Sequence, residues 1–366
     1  MKTALLYNPE IQKYNFGQGH PFDGERFKRF FDFLKRELAD FEDYFQLINP
    51  PAAEEKDLEL FHSKDYIKVI TAASKETISE EIFQYITPDN TDPQTGYLPK
   101  GIEKAARISV GSSIKAAELV FERKFQKAVS LGGGLHHAKA RRGEGFCFYN
   151  DVVIAAKKLL SQGAKKILIL DTDVHAGNGT AEAFYEDGRV LLIDLHQNPR
   201  TIYPGTGFLE EIGSKKGEGL IVNVPLAIGA GDNAYQYVFR EIIFPLAEEF
   251  KPELIIRYGG SDAYFNDGLA NLGLTLDGFK MIGENVKRLS KLFCGGREVD
   301  LLASGYNREI LPLAWTSLLA GLLDLPVSIT DPQGKLAPSK DAKLTETKET
   351  VKKLKEILKK YWRCFR

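Results

Sequence analysis

The chain has only three cysteines, Cys147, Cys294 and Cys364, and none stand at CxxC spacing. That usage fits a reducing compartment and points to neither a disulfide framework nor a thiolate metal site. An excess of charge of one sign is also lacking. The 49 Lys+Arg and 50 Asp+Glu leave a net charge of -1, so no broad basic field calls for nucleic acid or an anionic membrane. Long apolar runs are missing too. The longest, Ile310 to Leu323, is interrupted by Pro312 and falls short of the roughly 20 residues a membrane helix needs. The opening MKTALLYNPE has too short an apolar run before Asn8 and Pro9 for a signal peptide. A cytoplasmic protein without membrane or direct nucleic-acid partners is expected.

What is present reads as globular, with 43% hydrophobic and 27% charged residues. Short β-like runs recur: TALLY near the start, KAVSL, KKILIL, VLLIDL, ELIIRY and DLLAS. Helical patterns lie between them. DGERFKRFFDFLKREL offers Asp23 as N-cap and a phenylalanine-rich face, and NDVVIAAKKLLSQG offers Asn150 or Asp151 as cap and Gly163 as stop. NAYQYVFREIIFPLAEEF and GFKMIGENVKRLSKLF are further amphipathic candidates. Such alternation predicts an α/β fold, a parallel sheet flanked by helices. No linker splits the chain, so residues 1–366 are expected to form a single domain. The segment Thr87 to Pro99 reads as a surface loop, and residues 345–362 as a terminal packing helix with a solvated lysine face.

Four stretches could carry chemistry. In ILILDTDVHAGNGT an apolar strand runs into Asp171, Asp173 and His175 at alternate positions, which on extended backbone share a face. Two carboxylates and an imidazole suit Zn or Fe(II). The same letters also fit polar turn residues after a strand, or the DxDx opening of a Mg-dependent haloacid-dehalogenase-type phosphatase. Position argues against the phosphatase, because that motif normally opens its fold and about 165 residues precede it here. In SLGGGLHHAKARRGEGFCFYND, three glycines precede adjacent His136 and His137. A glycine-rich loop can turn both imidazoles toward one cavity, where they would carry protons at neutral pH. ELIIRYGGSDAYF ends a third strand near Asp262, a possible further metal ligand, although Gly-Ser-Asp is ordinary turn chemistry. DLLASGYNRE places Tyr306 after a fourth strand, where a hydroxyl could donate to an oxyanion.

Together and in this order, these stretches resemble the zinc-dependent histone deacetylase family, which includes acetoin-utilization proteins and acetylpolyamine amidohydrolases. The likeness runs from HPFDGERFKRFFDFL and FHSKDYIKVI to GYN at Tyr306, and GGGLHH with GFCFYND and DTDVHxGNGT with LHQNPRTIYPGTGF are its most specific parts. The resemblance implies an arginase/deacetylase-type fold and removal of an acyl group from an amine such as acetyl-lysine or an acetylpolyamine. It implies Asp173, His175 and Asp262 as ligands of Zn2+, with Fe2+ as the other candidate. It further implies His136, His137 and Tyr306 as catalytic residues, Asp171 and Asn178 behind the two histidines, and Phe146 and Tyr203 as walls of an acyl-lysine tunnel. Asn178 is a neutral partner and Asp171 a charged one, so His137 is expected to be less basic than His136.

Departures accompany the likeness. Ala176 stands where most relatives have a second histidine, and is expected to point away from the metal. Ala303 and Ser304 replace two glycines before Tyr306. Asp194 replaces a serine at a monovalent-cation site, which leaves K+ binding in doubt. Tyr264 follows the third ligand where many small-molecule deacetylases have histidine. A rim aspartate that holds substrate backbone in relatives could be Asp89 or Asp92. An altered, non-catalytic binding relative is the alternative these departures raise.

Overall fold

A computed structural model describes residues 2–75 and 80–366. Eight strands form one parallel sheet: β1 (Thr3–Leu6), β2 (Phe45–Ile48), β3 (Lys127–Leu131), β4 (Ile167–Asp171), β5 (Val190–Gln197), β6 (Ile221–Leu226), β7 (Leu254–Tyr258) and β8 (Glu298–Leu302). Their spatial order is β2-β1-β3-β8-β7-β4-β5-β6, and every neighbouring pair is parallel. Strands β4, β5, β7 and β8 are buried along their whole length, as expected where helices cover both faces. On one face, Leu168, Leu170, Leu191 and Ile193 join Phe27, Trp315 and Phe279; on the other, Ile167, Ile169 and Leu192 meet Val153, Ala156 and Leu159.

Six strands coincide with the runs expected from sequence, and two edge strands do not. In β2 the pattern FQLI is half exposed, and in β6 Pro225 interrupts the β signal. Proline lacks an amide donor and is tolerated because β6 has a neighbour on one side only. Asn150 caps the helix Asp151–Ser161 by accepting from the Val153 amide. Asp23 does not cap the helix Glu25–Glu37. Gly24 holds that position, since a Cβ there would lie 2.0 Å from the Gln12 carbonyl oxygen, and Asp23 instead accepts from the Glu25 amide. The expected helix from Asn233 to Phe250 is divided by a π turn at Phe239–Ile243, just before Pro245. Proline has no amide to give to the preceding turn, and the wider turn accommodates it.

The segment 87–99 is not purely a surface loop, because Asn90 is fully buried and bonded to the loop after β3. The last long helix, Leu344–Leu358, buries Val351, Leu354 and Leu358 and leaves its lysines outward, as its spacing predicts. Among the described residues no helix is long and apolar enough to cross a membrane.

Candidate active site

The four chemical stretches follow β3, β4, β7 and β8, which are adjacent at the centre of the sheet in the order β3-β8-β7-β4. Residues far apart in sequence therefore converge at one carboxyl edge, where open α/β sheets bind ligands.

Two anchors shape the loop after β3. Asp151 accepts from the amides of Gly134 and Leu135 at 3.0 and 2.8 Å and from the Ser113 hydroxyl at 2.5 Å. Asn150 donates to the carbonyls of His136 and Ala138 at 3.1 and 3.2 Å. Both candidate cap residues thus also fasten the tandem histidines. Gly145 is required beside them: its φ is +58°, and a Cβ would lie 2.4 Å from His137 Cδ2. Phe146 follows with φ 66°, an uncommon conformation for a bulky residue. Asn90 accepts from its amide at 2.9 Å and the Tyr14 hydroxyl donates to its carbonyl at 2.6 Å, which holds the ring in place.

After β4 the backbone does not stay extended. Asp171 accepts from the Asp173 amide, and Asp173 from the His175 amide, each at 2.9 Å, so two successive turns replace the simple alternation. The outcome still separates the roles of the side chains. Asp171 Oδ2 lies 2.9 Å from His136 Nδ1, while Asp173, His175 and Asp262 each offer a ligand atom within 4.8 Å of the others. All three are buried, and Asp262 Oδ2 has no hydrogen-bond partner. An oxygen–oxygen–nitrogen set with an orphaned, buried carboxylate oxygen fits a divalent cation such as zinc.

The electrostatics distinguish the two histidines. Burial opposes charge on His136, but Asp171 and Asp173 outweigh it and carry its pKa up to about 9. Burial also lifts Asp171, to about 7 with Asp194 nearby, which leaves the proton of the pair on the imidazole. His137 moves the other way. Burial and the neighbouring His136 and His175 push it well below the ordinary value, and its Nδ1 meets Asn178 Oδ1 at 2.8 Å. The two Nε2 atoms face each other at 3.1 Å. A cavity of about 20 Å³, room for about one water, is lined by both histidines, Asp173, His175, Phe146 and Tyr306.

Tyr306 stands across this cavity, its ring 6.0 Å from that of Phe146. Its pose depends on two residues that sequence alone did not single out. Asp267 accepts from the amides of Tyr306 and Asn307 at 2.7 and 3.1 Å. Arg26 lies with its guanidinium 5.3 Å from the Tyr306 ring centroid and donates to the Ala303 carbonyl at 2.9 Å. Tyr203, the other expected wall, is 43% exposed and packs edge-on to His137 at 5.0 Å.

The departures find places as well. Ala176 faces away from the metal group into a separate cleft of about 430 Å³ that includes Asp194 and Gly207. Asp194 Oδ1 lies 2.7 Å from His196 Nδ1 and its Oδ2 accepts from the Gly177 amide at 2.8 Å. Tyr264 points its hydroxyl to Asp331 at 2.8 Å, outside the metal group. Asp92 is used by its own turn, accepting from the amides of Gln94 and Thr95, whereas Asp89 accepts from the amide of Gly145 at 3.1 Å, next to Phe146.

Comparison with known proteins identifies the family. Residues 20–322 match the model of the histone deacetylase domain. A probable deacetylase of Archaeoglobus fulgidus is 34% identical over the whole of both chains. The acetoin utilization protein AcuC of Staphylococcus aureus is 33% identical over 89% of this chain and 83% of its own, and that of Bacillus subtilis is 32% identical over 86% and 81%. The crystal structure of the HDA15 HD domain superposes with a TM-score of 0.84 at 27% identity, covering 100% of this chain and 97% of that one. The chain belongs to the histone deacetylase family.

Proposed function

We propose that the protein, a deacetylase-family hydrolase, removes an acetyl or other short acyl group from an amine such as a lysine side chain or a polyamine. One observation carries this reading: a buried Asp-His-Asp group fit for a metal lies beside two histidines of opposite basicity. We read Asp173, His175 and Asp262 as ligands of zinc, with ferrous iron as the alternative. Bound there, the ion would polarise the acyl carbonyl and lower the pKa of a water.

The remaining steps belong to the side chains. His137, buried and neutral, takes a proton from the attacking water as its oxygen bonds to the carbonyl carbon. The Tyr306 hydroxyl donates to the developing oxyanion; burial holds its pKa well above the usual range, so it keeps its proton. His136, kept cationic by Asp171, adds positive charge beside that oxygen. As the C–N bond breaks, the proton held on His137 passes to the leaving amine, giving free amine and carboxylate. Phe146 and Tyr203 would flank the acyl-lysine stem, and Asp89, fixed beside Gly145, is the rim acid placed to meet substrate backbone. The chain would act as one cytoplasmic domain.

The phosphatase alternative is not favoured, and the non-catalytic one would have to explain an intact set of ligands and proton carriers. Metal analysis with a panel of acetyl-lysine peptides, acetylated polyamines and short acyl amides tests the proposal. Zinc-loaded protein should hydrolyse at least one class and be inhibited by a hydroxamate. No hydrolysis of any member would overturn it.

A further inference from the structure

Glu144 lies between Gly143 and Gly145 in the loop after β3, and its side chain is 12% exposed. Its amide donates to the Cys147 carbonyl at 3.1 Å and its carbonyl accepts from the Cys147 amide at 3.0 Å, closing a tight turn. Neither flanking position admits a side chain. A Cβ on Gly143 would lie 2.6 Å from the Tyr66 hydroxyl, and one on Gly145 would strike His137. The turn therefore sets where the Glu144 carboxylate sits, which is 2.6 Å from Asn178 Nδ2.

We infer that Glu144 is a positioning residue that fixes the tautomer of His137 through Asn178. A carboxylate only accepts hydrogen bonds, so the Asn178 amide must present its NH2 to Glu144 and its oxygen to His137. That oxygen lies 2.8 Å from His137 Nδ1 and can only accept, which places the imidazole proton on Nδ1. The lone pair is then on Nε2, the nitrogen on the His136 side of the ring, in a residue that lines the site cavity.

His136, paired with Asp171 at 2.9 Å, directs its Nε2 at His137 Nε2 across 3.1 Å. Close contacts link Asp171, His136, His137, Asn178 and Glu144 in one run, with a carboxylate at each end. Without Glu144 the Asn178 amide is free to turn over and offer NH2 to Nδ1. That arrangement favours the tautomer protonated on Nε2, which cannot take a proton from water.

The catalytic consequence rests on the deacetylase reading above, but the tautomer does not. The test uses full-length protein labelled with 15N-histidine, with and without zinc, and reads the protonated nitrogen of His137 by long-range 1H–15N correlation. Wild type should show Nδ1–H. Glu144→Ala should show Nε2–H or a mixture, with zinc content unchanged. Its kcat should fall about tenfold to a hundredfold, part of the 10²–10⁴ a placed base supplies, with KM within about twofold. Glu144→Gln keeps an accepting oxygen and should restore Nδ1–H and most of the lost kcat. Retention of Nδ1–H and of kcat in Glu144→Ala would overturn the inference. So would a Glu144→Gln variant as impaired as Glu144→Ala, which would assign the effect to charge. If no amide is hydrolysed by wild type, the deacetylase reading fails while the tautomer measurement still decides this one.

Discussion

His136 and His137 are adjacent in sequence, yet their Nε2 atoms converge to 3.1 Å while their Nδ1 atoms diverge to Asp171 and Asn178. A charged partner on one side and a neutral amide on the other split two identical side chains in basicity, one raised and one lowered. Asp171→Asn should remove this division. Without the carboxylate, burial is opposed by Asp173 and Asp194 alone, and the His136 pKa should fall from about 9 toward the ordinary imidazole value near 6.5. Imidazole titration by NMR in metal-free protein measures this directly; an unchanged His136 would mean that another group supplies the proton affinity.

Tyr306 is half-buried opposite the histidines, with its hydroxyl protonated throughout the physiological range because burial raises its pKa. Tyr306→Phe deletes one donor and little volume. Turnover should drop about 10²-fold or more, the usual cost of losing an oxyanion donor, with zinc content and melting temperature close to wild type. Near-normal turnover would remove the hydroxyl from the mechanism.

Much of this was legible in sequence because it lies just after buried strands. The aliphatic runs of β3, β4, β7 and β8 mark four strands, and the residues that break each run are the polar ones of the site. The order in space, which makes those four strands neighbours, does not follow from periodicity. The supporting residues left little trace. Asp267 bonds to Tyr306 across 39 positions, Arg26 to Ala303 across 277 and Asn90 to Phe146 across 56. Glu144 lies just before GFCFYND, but nothing local distinguishes an acid aimed at Asn178 from one in solvent. Contacts of this kind are set by how loops from different strands pack, which neither composition nor spacing encodes.

Far from the site, Glu298 on β8 is fully buried, and neither carboxylate oxygen has a hydrogen-bond partner. The nearest cation, Lys127 Nζ, is 3.9 Å away and donates instead to the Leu322 carbonyl at 2.7 Å. Burial pushes the Glu298 pKa up to about 8. Its unfolded value is near 4.3, so between these limits the folded state binds more protons than the unfolded one. The stabilising contribution is full below about pH 4.3 and is lost as pH rises through about 8, a change on the order of a few kcal/mol. Glu298→Gln, which cannot ionise, should flatten the decline in melting temperature between pH 5 and 9 (about the span of that titration). Parallel curves for the two proteins would show that Glu298 does not titrate there.

Metal removal should have its own signature in stability. Asp173 and Asp262 are buried together around His175, and Asp262 Oδ2 lacks a hydrogen-bond partner, so without a cation the two carboxylates would repel and that acceptor would stay unmatched. A cation bound only by the folded state adds about 2.7 kcal/mol at a hundredfold excess over its Kd. Chelation should therefore lower the melting temperature, and zinc should restore it. Asp262→Asn should lose most of that zinc-dependent rise. Without metal it should melt at or above wild type, because one buried charge is gone. Calorimetry with and without zinc, alongside metal analysis, separates these effects. The same zinc-dependent rise in Asp262→Asn as in wild type would exclude Asp262 as a ligand.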